Sequence, residues 1–214
     1  MLDLMMQGGV LMWVILGASI MAAMIFLERL FHFHRARINA ADFLEGIFNV
    51  LRRRNVVEAV SICAETPGPV AHIARAAILQ GQASRTDIQR AVESAGLGEI
   101  PRLERNLGML ATIAHIAPLL GLLGTILGVM QSLQQVETVA PLVHVGDVSH
   151  GLWQALITTA AGLALAIPAF AGYNFLLHRL EEILLDMERA SVELLDFLEA
   201  PLPEPDEERS HESP

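Results

Sequence analysis

The sequence predicts an all-α membrane protein. Three transmembrane helices are expected, the long second and third extending into a cytoplasmic helical bundle. Three observations predict this. Residues 4–27, 106–136 and 148–177 are uncharged, counting His150 as neutral, and each exceeds the ~20 residues a helix needs to cross a bilayer. The chain is 53% hydrophobic with 18% charge, too apolar for an ordinary soluble domain. All 14 basic residues are arginine, and none falls in residues 1–28 or 106–178.

That arginine distribution sets the topology, because basic residues stay on the cytoplasmic side. Residues 1–28 hold a periplasmic N-terminus and the first span. Residues 1–10 lack the basic n-region of a cleavable signal, and Arg29, Arg35 and Arg37 follow the apolar run instead. An uncleaved helix with its N-terminus outside is expected. Trp13 suits an interfacial anchor or a lipid- or helix-facing position.

Residues 29–105 form a cytoplasmic helical segment. Asp42 is placed to cap a helix bearing Phe43, Ile47, Phe48 and Leu51 on one face, and Asn55 to start another. Thr66-Pro67-Gly68-Pro69 is a break. A short helix covers 70–79, and residues 81–84 turn. Thr86 or Asp87 opens a further helix, expected to run past Pro101 into the second span with a kink.

The second span covers residues 106–136. Glycine costs about 1 kcal/mol against alanine in a helix, yet this stretch contains Gly121, Gly124 and Gly128 beside Thr125 and Pro118. Positions 121, 124, 125 and 128 share one helix face, and small faces let transmembrane helices approach closely. A periplasmic loop follows at 137–149 and carries no basic residue. The third span covers 150–178, with Gly162 and Pro168 as its packing residues. An amphipathic cytoplasmic helix occupies 179–200, its apolar residues spaced at three and four. The proline-rich, charged tail 201–214 is expected to be disordered.

Polar groups within the spans are the candidate functional residues, since buried polarity in a membrane usually faces a bundle interior or wet cavity. They are Thr112, His115, Thr125, Gln154, Thr158 and Thr159. Any single threonine more often bonds its own carbonyl four residues back. His115 is read as a neutral interfacial histidine, with titration the alternative. The spans' cores hold no Asp or Glu, so any proton crossing needs an acid from a partner. Cys63 alone permits no internal disulfide or Cys-x-x-Cys site. No nucleotide, hydrolase or metalloprotease motif occurs, so no enzyme activity, metal or cofactor is expected. The net charge of −10 argues against a nucleic-acid partner.

Two motifs carry a family resemblance. Residues 117–131, APLLGLLGTILGVMQ, resemble the second-span signature of the MotA/TolQ/ExbB proton-channel family. Residues 152–174, LWQALITTAAGLALAIPAFAGYN, are similar to the third-span signature of its ExbB/TolQ branch. The resemblance covers most of residues 5–198. It implies a homopentamer in the bacterial inner membrane, holding a dimer of a single-span ExbD/TolR-like partner in its central pore. It also implies a possible further partner of the TonB or TolA type spanning the envelope. Thr125 and Thr159 match the family's pore threonines, and the partner's membrane aspartate carries the proton. Thr158 and Gln154 join them as pathway candidates. Where relatives often have glutamate five residues before the third-span threonine, this chain has Gln154, which does not titrate.

The resulting expectation is a proton-channel subunit that converts the proton motive force into work at the envelope. The rival readings are a non-conducting homo-oligomeric membrane scaffold and a gliding or flagellar-stator-like motor subunit.

Overall fold

The structure, a computed structural model, describes residues 9–36, 39–81, 83–139 and 145–199. Seven helices account for them: α1 Gly9–Ala36, α2 Ala40–Arg52, α3 Val56–Glu65, α4 Pro69–Leu79, α5 Arg85–Glu104, α6 Leu107–Val139 and α7 Val145–Glu199. Among the described residues there is no strand. The chain divides into two compact units.

The first unit comprises residues 1–31 and 104–179. Its polarity is inverted relative to a water-soluble domain. Large apolar side chains point outward: Met24 is 66% exposed, Leu119 61% and Ile167 69%. Small residues lie inside, including Ala22, Ala114, Ala117, Ala155 and Ala169. Lipid solvates the outer face, so helix association draws on close packing, which small residues permit. Three helices, α1, α6 and α7, are long and apolar enough to cross a membrane. Trp13 is 54% exposed on α1.

The second unit comprises residues 32–103 and 180–214. It has the opposite build, an apolar core under a charged surface. Leu44 and Ile47 of α2, Ile73 of α4 and Leu194 of α7 are almost fully buried, each contributing about 1.5–3 kcal/mol. Ile183, Met187, Ala190 and Leu194 form the buried stripe of α7. Phe48 stacks on Phe197 with ring centres 4.3 Å apart. Arg85 pairs with Glu199 at the end of α7.

Several local expectations change. The cap of α2 is Asn39, not Asp42. Asp42 lies in the first turn and accepts a 2.6 Å bond from Asn39 Nδ2. Asn55 does cap α3, its Oδ1 accepting from the Glu58 N–H. At α5 the helix opens at Arg85, because Ser84 Oγ accepts from the Asp87 N–H at 3.3 Å. Pro101 lies inside α5 without ending it. The interruption falls at Asn106, whose φ is +62°, a left-handed conformation that asparagine tolerates better than most residues.

The spans also run further as helix than their apolar limits. α6 reaches Val139 and α7 starts at Val145, so most of the expected loop at 137–149 is helical. Glutamine is a good helix former, and Gln131, Gln134 and Gln135 carry helix through the end of the uncharged run, beyond which α6 adds residues 137–139. Residues 140–144 and the tail 201–214 lie outside the described residues. α7 continues unbroken for 55 residues, about 80 Å at 1.5 Å per residue.

Cys63 is buried in α3. Burial pushes its thiol up from 9.0 to about 11, with Arg75 pulling partly the other way. The fold thus favours the neutral thiol. That contribution to stability is complete below the unfolded thiol's ordinary pKa and is lost as pH rises through about 11. Iodoacetamide at pH 8 should label Cys63 slowly in the folded protein and rapidly after denaturation. Equal labelling rates, read by mass spectrometry, would contradict this placement.

Candidate functional site

The site is built on the line where α6 meets α7. Gly121, Gly124 and Gly128 are all buried; a Cβ would be tightly crowded at Gly121 and would collide at Gly124 and Gly128. At Gly121 that carbon would sit 3.1 Å from Thr159 Cα. At Gly124 it would overlap the Thr158 side chain, and at Gly128 it would sit 2.6 Å from the Gly151 carbonyl oxygen. From the other side, a Cβ at Gly162 would lie 2.7 Å from the Ala117 oxygen and 2.9 Å from Gly121 Cα. Higher positions on α6 thus meet lower ones on α7, an antiparallel seam with backbone against backbone.

A hydrogen bond from Thr159 crosses the seam. Thr159 Oγ1 lies 3.0 Å from the Gly121 carbonyl oxygen and 3.1 Å from that of Ala155. It therefore donates to one while remaining within reach of the other. The Gly121 carbonyl is reachable because glycine keeps the helices this close. Thr125, one turn along α6, is half-buried, and its Oγ1 donates to the Leu122 carbonyl at 2.5 Å. Thr112 donates to Gly108 at 2.8 Å.

Thr158 is 1% exposed, with its hydroxyl on the carbonyls of Ala155 (2.9 Å) and Gln154 (3.1 Å). Gln154 is half-buried, and its Nε2 lies where a side chain on Gly9 would go. Gln154, Thr158 and Gln131 line a cavity of about 280 Å³ with Val10, Leu11, Gly124, Leu127 and Gly128. Thr125 and Thr159 are not among its lining residues.

The prolines have separate surroundings. Pro118 is half-buried inside α6, and Pro168 is exposed in α7. Lacking an N–H, each leaves the carbonyl four residues earlier without its helical donor. Pro168 lines an apolar cavity of about 260 Å³ with Ser19, Phe26, Leu110 and Gly172. His115 is exposed, with Nδ1 2.6 Å from the Ala111 oxygen and its ring edge-on to Phe170. A neutral ring making that bond has its proton on Nδ1, which leaves Nε2 as the acceptor.

Three residues of the seam escaped the sequence reading. Ser132 is buried and donates to the Gly128 carbonyl at 3.1 Å. A Cβ on Gly151 would overlap its hydroxyl, and Gln131 lines the cavity beside Gln154. The signal was available. Positions 117, 121, 124, 128 and 132 are small on α6, as are 151, 155, 158 and 162 on α7. Both series step by three and four, so each announces one face of a helix.

The arrangement offers hydroxyls, backbone carbonyls and amides, with no carboxylate. Among the described residues no group of three or more His, Cys, Asp or Glu is placed to hold a metal. Hydroxyls both donate and accept hydrogen bonds.

The model of the MotA/TolQ/ExbB proton channel family matches residues 65–189, more than half of the chain. The chain belongs to that family. Its relatives here are of the ExbB and TolQ branch, and with three apolar helices it is a multi-pass membrane protein. A biopolymer transport protein ExbB homolog of Methanothermobacter thermautotrophicus is 26% identical over 85% of this chain and 64% of its own length. An ExbB-like 3 biopolymer transport protein of Synechocystis is 28% identical over 76% of this chain and 78% of its own. The Tol-Pal system protein TolQ of Pseudomonas aeruginosa is 37% identical over 41% of this chain and 37% of its own. The chain therefore spans just under two thirds of the archaeal relative.

The seam leads to a stability prediction. Gly162→Ala puts a methyl group against two backbone atoms that have no rotamer by which to yield. It should cost about 1–3 kcal/mol and lower the thermal unfolding midpoint in detergent. Gly17→Ala has nothing within 4 Å of the added carbon, and with alanine the better helix former it should keep or raise the midpoint. Equal midpoints for the two variants would refute the close approach.

Proposed function

We propose that this chain is the ring-forming subunit of a proton-driven motor in the bacterial inner membrane. It assembles as a homopentamer around a dimer of a single-span ExbD/TolR-like partner. Its N-terminus faces the periplasm and its C-terminus the cytoplasm, as the arginine distribution argues. A TonB- or TolA-like protein spanning the envelope receives the work. The observation that carries this reading is the Thr159–Gly121 bond in a seam of glycines whose spans hold no acid.

In this reading the partner's membrane aspartate takes up and releases the proton. Thr125 and Thr159, both half-buried, line its path on the ring's inner face. Thr158 and Gln154 back the seam from inside the subunit, and Gln154 adds a hydrogen-bonding group that holds no charge. His115, exposed on α6 with Nε2 as acceptor, is the candidate titrating group. The seam keeps α6 and α7 as one wall while the partner turns against it. Each charge crossing 100 mV releases about 2.3 kcal/mol, so a few protons supply the roughly 10 kcal/mol that remodelling a protein contact requires.

A second reading has one observation in its favour. Every described span threonine has its hydroxyl on a backbone carbonyl, an arrangement that also serves a non-conducting scaffold. The two readings separate on function. Thr125→Ala and Thr159→Ala should each abolish energy coupling while ring assembly and protein level stay normal, and Thr159→Ser should retain it. Wild-type coupling in both alanine variants would leave the scaffold.

A further inference from the structure

The second unit contains a cavity of about 420 Å³ that the motor reading does not use. It is walled by three segments. The end of α1 supplies His32 and Arg35, the break before α4 supplies Pro67, Gly68, Pro69 and then His72, and the end of α5 supplies Glu99 and Arg102. Four groups capable of positive charge thus converge on one space. Glu99, only 14% exposed, already shows what the space accepts: its carboxylate oxygen lies 2.7 Å from Arg102 and 3.8 Å from His72. With the histidines neutral, the two arginines exceed that carboxylate by one positive charge. A phosphodiester carries one negative charge.

The first turn of α4 adds to the same polarity. Gly68 offers no capping side chain, and the turn contains no acidic residue. The partial positive charge of the helix start therefore meets no side-chain anion of its own helix.

Sequence distance places the cavity at a particular depth. His32 and Arg35 lie five and eight residues beyond Leu27, the last apolar residue of the first span. That is about 8–12 Å along α1 at 1.5 Å per residue. The headgroup layer is roughly 5–8 Å thick on each side of the hydrocarbon. Arg102 lies four residues before Asn106, where the second uncharged run starts. Arg102, about 6 Å out at that rise, falls within the headgroup layer, and Arg35, about 12 Å out, starts beyond it and reaches back toward lipid phosphates through its long side chain. A guanidinium binds such a group through two parallel N–H bonds.

We propose that this cavity binds the phosphodiester of an anionic phospholipid from the adjacent leaflet, with Arg35 and Arg102 as its principal ligands. The shared chemistry with inorganic phosphate makes the source part of the test. The full-length protein in detergent is given equal amounts of phosphatidylglycerol and phosphatidylcholine, and retained lipid is counted by native mass spectrometry. Phosphatidylglycerol should be retained in preference. Arg35→Gln should cut that retention about fivefold, the worth of one arginine at a charged headgroup, and Arg102→Gln at least as much. Arg90→Gln, at an exposed arginine paired with Asp87, should change nothing. Arg35→Gln is the decisive variant, since it leaves the Arg102–Glu99 pair intact, and its unfolding midpoint should match wild type. Equal retention of the two lipids, or undiminished phosphatidylglycerol on Arg35→Gln, overturns the proposal. So does displacement of the lipid by millimolar inorganic phosphate, which would make this a soluble-anion site.

Discussion

The close approach of α6 to α7 is the constraint on which the membrane unit depends. Apolar surface gives little drive for association inside a bilayer, because lipid tails are as apolar as leucine. Two helices stay together there by packing at short range. The glycines at 121, 124, 128, 151 and 162 remove the side chains that would hold the backbones apart. The cost in helix propensity is about 1 kcal/mol each, and the gain is a continuous backbone contact. The cross-helix bond from Thr159 exists only because a carbonyl at Gly121 is within reach. Polar function in this unit is thus a consequence of small residues.

The chemistry follows from what the seam lacks. An ionised carboxylate inside the spans would be expensive alone and would hold its proton or its charge in one place. Hydroxyls and an amide impose no such trap. They suit the wall that the proposed function requires, past which a partner's charge would be carried. The second unit meets the opposite solvent and is built by opposite rules, with Leu44, Ile47, Ile73 and Leu194 buried and arginines outside. The 55-residue α7 belongs to both. Its apolar face changes from small residues at 151–162 to Ile183, Met187 and Leu194 further along, as the solvent around it requires.

Much of this was legible in the sequence because bilayer and water impose different patterns. Three uncharged runs and fourteen arginines outside them led to the three long apolar helices, and the small stripe on α6 led to the seam. On α7 the sequence reading named Thr158 and Gly162 but not the stripe that joins them to Gly151 and Ala155, because these residues are interleaved with large apolar residues and one tryptophan. Boundaries were the weakest part. Asp42 looked like a cap, but Asn39 begins the helix three residues sooner. Pro101 looked like the kink, yet it lies inside α5, and the helix is interrupted at the left-handed Asn106 instead. Which face each threonine presents was beyond sequence reading. Thr158 and Thr159 are neighbours with the same hydroxyl, but a 100° step sends one into the seam's interior and leaves the other on a half-exposed edge.

The claim that the acid comes from outside this chain is tested most directly by proton flux. The protein would be reconstituted in vesicles, alone and with the proposed single-span partner, and internal pH followed after an imposed potential. The account predicts no flux from this chain alone, and flux with the partner that vanishes when the partner's membrane aspartate becomes asparagine. Flux from this chain alone, at a rate the partner does not change, would contradict it.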